Sequence, residues 1–226
     1  MLETLTLTTL TRSERQWIMK TDHKSAKRGS YHHGDLRTQL IEAARVLVEE
    51  KGPEQFSVSE ACRLAGVSTA APYKHFKNKE EMLQEVCLQG MHRQRAQMIE
   101  EVSPHAPGTL DRIVALGRVY VRFAQEEPGV FRLMFGFANE NDDDEALTEL
   151  GQGTFKLVQQ EVAWCRGSDE INDQDIQRAF LLWSFVHGLS FLRIDGKLSR
   201  VDLSIDVEST LTEIARRVLS DAVTPP

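Results

Sequence analysis

From residue 35 onward apolar residues recur at helical spacing almost without interruption. Leu36, Leu40, Ala43, Ala44, Leu47 and Val48 fall on one face of a helix, and Gly52-Pro53 ends it. Ser57 stands three residues before Glu60, the spacing of a capping box, and predicts a second helix through Leu64. Gly66 follows, and Ser68 is placed to cap a short third helix reaching about Phe76. Lys79 opens a long fourth helix to about Glu101, broken by Pro104 and Pro107. Thr109 to Gln125 predicts another helix, closed by Pro128; residues 129–137 form a short apolar segment and Asn139 to Asp144 an acidic loop. Helical patterns return near 145–166, 173–195 and 203–221. No stretch alternates apolar and polar positions between tight turns, as a half-buried strand would. The expected fold is all-α, with about nine helices.

Composition supports a packed protein. Of 226 residues, 41% are hydrophobic and 27% charged, enough to bury a sizeable core. Residues 1–30 are polar, basic and without periodicity, and are expected to form a flexible arm carrying Lys20, Lys24, Lys27 and Arg28. Met19 is an alternative start, which would make residues 1–18 an extension. No apolar run approaches the roughly 20 residues needed to cross a bilayer, and the N-terminus lacks the basic leader and apolar stretch of a signal peptide. Cys62, Cys87 and Cys165 are far apart and odd in number, which argues against a disulfide framework and for a reducing cytoplasm.

Net charge is −7, but its distribution is uneven. Residues 1–80 hold 13 Lys/Arg against 10 Asp/Glu, whereas residues 81–226 hold 14 against 24. A locally basic segment can meet phosphates while the remainder keeps the protein in solution. The basic half contains Ser57–Phe76, SVSEACRLAGVSTAAPYKHF. Two short helices joined by a tight turn need small residues where they cross, here Ala61 and Ala65, and a residue tolerant of positive φ, here Gly66. Val67 can plug the space between them. Thr69, Ala70 and Ala71 keep the start of the second helix slim enough for a major groove about 12 Å wide. Tyr73, Lys74 and His75 carry polar tips that reach phosphates or base edges, although the Tyr73 ring could instead pack on the first helix. Pro72 removes one early backbone bond and predicts a tight or irregular start. Lys77, Lys79 and the amides opening the fourth helix make a second phosphate contact, and a basic arm can follow the duplex backbone or enter the minor groove.

Residues 31–86, from YHHGDLR to AGVSTAAPYKHFKNKEEML, resemble the N-terminal domain of TetR-type regulators, with Gly66, Val67, Ser68, Tyr73, Phe76 and Lys79 in place. The resemblance implies a DNA-binding domain over 31–90 and a C-terminal effector-binding and dimerisation domain over 91–226. It implies contacts to a duplex operator from Ser68, Thr69, Ala70, Ala71, Tyr73, Lys74, His75 and Lys79, with Ser57 on a phosphate and Arg28 contributing from the arm. LLWSFVHGLSFL, with Trp183, His187 and Gly188, and YVRFAQEEPGVFRLMFG over 120–136 are similar to a branch marked by a Trp-His-Gly signature.

The segment 179–194 is apolar nearly all round and must be covered on every side. One side would face the interior and the other a second subunit, joined by the stripe Val207, Leu211, Ile214, Ala215 and Val218; burial within a monomer is the alternative. Phe123, Phe131, Met134, Phe135, Phe155, Trp164 and Trp183 could line an apolar pocket for a small-molecule effector with His187 as its polar contact, or be ordinary core. The Asp142–Glu145 run lacks the spacing and glycine of a calcium loop, His32-His33 has no third ligand nearby, and no cofactor is expected. An all-α enzyme finds no support, since there is no nucleophile–base pairing or phosphate-cradling glycine loop. A DNA-architectural protein without an effector would show a solid C-terminal core. The leading expectation is a ligand-responsive repressor binding a palindromic operator as a homodimer.

Overall fold

The computed structural model describes residues 33–136, 144–200 and 204–220. Arg28 and the rest of the expected arm lie outside the described residues, as do Asp142 and Asp143 of the acidic loop. The chain divides into two units, Met1–Asp35 and Leu36–Pro226. Among the described residues there are nine α-helices and one 3₁₀ turn, and no strand. The helices are α1 (His33–Lys51), α2 (Val58–Ala65), α3 (Lys79–Val102), α4 (Leu110–Glu126), α5 (Pro128–Gly136), α6 (Glu145–Cys165), α7 (Asp173–Ile194), α8 (Lys197–Arg200) and α9 (Val207–Leu219). No helix among the described residues is long and apolar enough to cross a membrane.

Local chemistry sets the boundaries. The Ser57–Glu60 capping box is present: the Glu60 amide donates to the Ser57 hydroxyl at 3.3 Å and the Ser57 amide to the Glu60 carboxylate at 3.2 Å. Gly66 has φ 69° and ψ 31°, the left-handed conformation that stops a helix without a Cβ clash. The Val67 amide then reaches back to the Cys62 carbonyl at 2.9 Å. Asn78 caps α3, Asp144 caps α6, and Asn172 and Asp175 form a second capping box on α7. Each such cap is worth about 1 kcal/mol.

Three features depart from the sequence pattern. The apolar segment expected over 129–137 is a helix, α5, with Pro128 at its first position, where a missing N–H costs nothing. The single turn α8 was not anticipated. The third correction concerns the expected helix Ser68–Phe76, which is a 3₁₀ turn over Pro72–Lys74 preceded by non-helical turns. Pro72 has no N–H to give the Ser68 carbonyl, which accepts instead from the Ala71 amide at 3.0 Å. The next bonds, Lys74 to Ala71 and His75 to Pro72, also span three residues; only the Phe76 amide reaches four back, to Pro72, at 2.9 Å. The turn has no side-chain cap, so Ser68 does not take the capping role expected of it.

The core of the second unit is built around α4, whose residues Ile113 to Tyr120 are buried with one exception, Arg118. It packs on α3, α5, α6, α7 and α9. A buried ion pair crosses it: Arg112 holds both oxygens of Glu161 on α6, at 2.7 and 2.5 Å, and donates to the carbonyls of Val102 and His105 at 3.0 Å each. Four hydrogen bonds offset the cost of taking this guanidinium from water; breaking such a pair on one side costs about 3–5 kcal/mol.

Candidate nucleic-acid interface and effector site

The turn after α2 presents one side to solvent. Ser68, Thr69, Ala70, Tyr73 and Lys74 are exposed, Tyr73 at 66%, while Pro72 and Phe76 are buried. The anchor is therefore apolar and the outward face polar. Phe76 sits in the core with the Arg37 guanidinium 5.3 Å from its ring centre. Ala71 and His75 are half-buried at the edge of this surface. The Tyr73 ring does not pack on α1; its exposure excludes that alternative.

Two expected phosphate contacts are already engaged within the chain. The Ser57 hydroxyl serves the cap of α2 and lies 3.0 Å from the Ser59 hydroxyl. The Lys79 ammonium donates to the Glu54 carbonyl at 3.0 Å and lies 5.2 Å from the centre of the Phe56 ring. Lys79 therefore closes the α1–α2 loop, a role that sequence spacing did not reveal. Lys74 and Lys77 are exposed beside it.

A second constellation lies in the helical core. The Trp183 indole N–H donates to the Tyr120 hydroxyl at 3.1 Å, and that hydroxyl lies 2.9 Å from His187 Nδ1. With the indole as donor, the Tyr120 O–H is left to donate to His187, whose Nδ1 then accepts as a neutral imidazole. Burial pushes the His187 pKa below its ordinary value of 6.5 and keeps it neutral. Burial pushes the Tyr120 phenol well above the ordinary range, so its proton stays in place.

Rings surround this chain of bonds. Phe135 meets His187 edge-on at 4.5 Å, Phe131 packs on Phe135 at 5.0 Å, and Phe155 lies 5.8 Å from Trp183. Five of the residues proposed from sequence thus come together: Phe131, Phe135, Phe155, Trp183 and His187. Three do not enter this ring cluster. Phe123 is wholly buried in the core, and Met134 faces Gly90 on α3. Trp164 lies at the C-terminal end of α6, bonded to Asp169 at 3.0 Å under Arg112.

Sequence reading missed Tyr120 and Phe191, which packs on His187 at 4.9 Å. A tyrosine inside a buried helix face must find a partner for its hydroxyl, and that was the available signal. Tyr120 and Trp183 also line a cavity of about 50 Å³ with Met98, Leu116, Val158 and Leu211. That space suits a water or two, far below the roughly 300–1,000 Å³ of small-molecule pockets.

Residues 40–86 match the model of the bacterial regulatory proteins of the tetR family, and residues 113–218 match the tetracyclin repressor-like C-terminal domain. The nucleoid occlusion factor SlmA of Vibrio cholerae is 27% identical over 169 residues, 71% of this chain and 86% of that protein. A Rhodococcus protein of unknown function has the same fold with a TM-score of 0.72 at 27% identity, covering 85% of this chain and 97% of the other. A tetR-family transcriptional regulator from Streptomyces coelicolor superposes with a TM-score of 0.64 at 15% identity, over 83% of this chain and 80% of the other. The capped helix, left-handed glycine turn and exposed polar segment lie within the N-terminal match, and the two matches follow one another along the chain in the family's order: the chain belongs to the TetR family of DNA-binding transcription regulators.

Proposed function

We propose that this regulator is a ligand-responsive repressor that binds a palindromic operator as a homodimer. The observation that carries the reading is the surface from Ser68 to Lys74, held by buried Pro72 and Phe76 yet open to solvent at every polar tip. In this reading residues 31–90 bind DNA, the arm over 1–30 follows the duplex backbone, and residues 91–226 bind effector and partner. Two recognition segments meet successive major grooves ~34 Å apart.

The dimer reading is supported by a stripe on α7. Leu181 and Leu192 are 49% and 45% exposed, with Phe185 half-buried and Gly188 between them. Beside it an open groove of about 870 Å³ is lined by Phe185, Ile214, Arg216 and Arg217. Membership of the Trp-His-Gly branch and a cytoplasmic setting belong to the same proposal. The effector reading rests on the Tyr120–Trp183–His187 chain and its surrounding rings. The small cavity that Tyr120 and Trp183 line must enlarge to admit a ligand, and a ligand that favours the enlarged state shifts the DNA-binding equilibrium by its differential affinity alone.

The test begins with genomic duplexes selected by the purified chain. Lys74→Ala should lower the slope of log affinity against log salt by about one unit. Thr69 substitutions should change sequence preference with little effect on that slope. An unchanged affinity and slope in Lys74→Ala would remove Lys74 from the phosphate contacts.

A further inference from the structure

We propose that Glu49 is a positioning residue: its carboxylate clamps the first turn of α5 to α1 and so holds the DNA-contacting segment in register with the effector-site helices. The proposal rests on the regulator reading above. Glu49 Oε2 accepts from the Gly129 amide and Oε1 from the Val130 amide, each at 2.8 Å. The opening amides of a helix have no partner inside it, and Pro128 has no N–H at all. Both oxygens of one carboxylate therefore cap α5, and they come from α1, some eighty residues away in sequence.

The approach is close on the backbone as well. A Cβ at Gly129 would lie 2.5 Å from the Val48 carbonyl oxygen and 2.8 Å from Glu49 Cα. Main-chain atoms cannot rotate aside, so only glycine allows α1 and α5 to meet here. Glu127, just ahead of α5, adds a second tie through Arg93 of α3 and, at 3.7 Å, Arg45 of α1.

Both ends of this joint lead to a site. The residue after Val130 is Phe131, whose ring lies 6.0 Å from His187 and 5.5 Å from Tyr120. On the other side, α1 carries Arg37 over Phe76 and Lys51 on Glu60 of α2 at 2.6 Å. A displacement of the α5 backbone at Phe131 would either carry the Glu49 carboxylate with it or break the two bonds to the Gly129 and Val130 amides.

The test uses the full chain, a duplex selected from the genome by the wild type, and hydrogen exchange over residues 128–134. Two controls separate positioning from charge and from simple stability. Glu50→Ala removes the same charge from an exposed site on the same helix, and Asp144→Ala removes a helix cap from α6. Glu49→Ala should speed exchange across the first turn of α5 and weaken duplex binding about tenfold, with both controls within about twofold of wild type. Glu49→Gln, which keeps one acceptor oxygen, should fall between, and it carries the test if the alanine variant does not fold. Faster exchange with duplex affinity unchanged would overturn the proposal, as would unchanged exchange or an equal loss of affinity in Asp144→Ala. A wild-type chain that selects no duplex would end the regulator reading and this proposal together, whereas the other outcomes bear on Glu49 alone.

Discussion

The Tyr120 hydroxyl organises three side chains because it can donate and accept at once. It takes the Trp183 proton and faces the bare nitrogen of His187, so Tyr120 on α4 and the Trp183–His187 pair on α7 fix each other's rotamers. His187 gives this arrangement a pH signature. Burial lowers its folded pKa below 6.5, so an unfolded chain takes up the proton first as pH falls. The His187 contribution is therefore complete above its ordinary value of 6.5 and is lost as pH falls below it. Urea denaturation on both sides of that pH should show the wild type losing more stability than His187→Gln; parallel profiles would mean that His187 is not held neutral. Trp183 and His187 were legible in the sequence through their resemblance to a Trp-His-Gly signature, with His187 the polar group inside an apolar run. Tyr120 was not, since its partners lie more than sixty residues away.

At the scale of elements, turn chemistry was the most readable part of the chain. Gly66 has positive φ and open space where a Cβ would sit. Gly66→Ala should therefore cost only the backbone strain of the left-handed conformation, about 1 kcal/mol, measured as a shift in the urea midpoint at unchanged slope. A loss several times larger would mean that the alanine methyl meets atoms this structure does not place there. Pro72 was read correctly as an obstacle and underestimated in reach: losing one N–H moved the whole turn to three-residue bonding. The helix α5 was left unassigned because nine residues, Pro128–Gly136, are too few to display periodicity. Its cap is invisible locally, because the capping carboxylate belongs to another helix.

At the scale of the molecule, α7 carries more apolar surface than one chain covers. Leu181 and Leu192 are exposed along one stripe of α7, and Ile176, Phe180 and Trp183 along another; exposed apolar surface of this kind marks an association surface. Leu181→Glu combined with Leu192→Glu should yield a monomer in sedimentation, with duplex affinity lost while helical content is kept. A double variant that remains dimeric would move the interface elsewhere. The long helix α3 belongs to this scale too. It runs unbroken from its Asn78 cap just after the Pro72 turn to the cavity-lining Met98, crossing residue 90, where the resemblance implies a boundary.

By itself the sequence determined the all-helical fold, the helix ends set by local caps and glycine, and the polar segment after Gly66, because each depends on residues a few positions apart. Only the tertiary structure decided that Lys79 turns inward onto Glu54, that Tyr120 joins Trp183 to His187, and that Glu49 caps α5. Those bonds join groups between 25 and 81 residues apart, and a spacing rule has no access to partners that meet only after the core has closed.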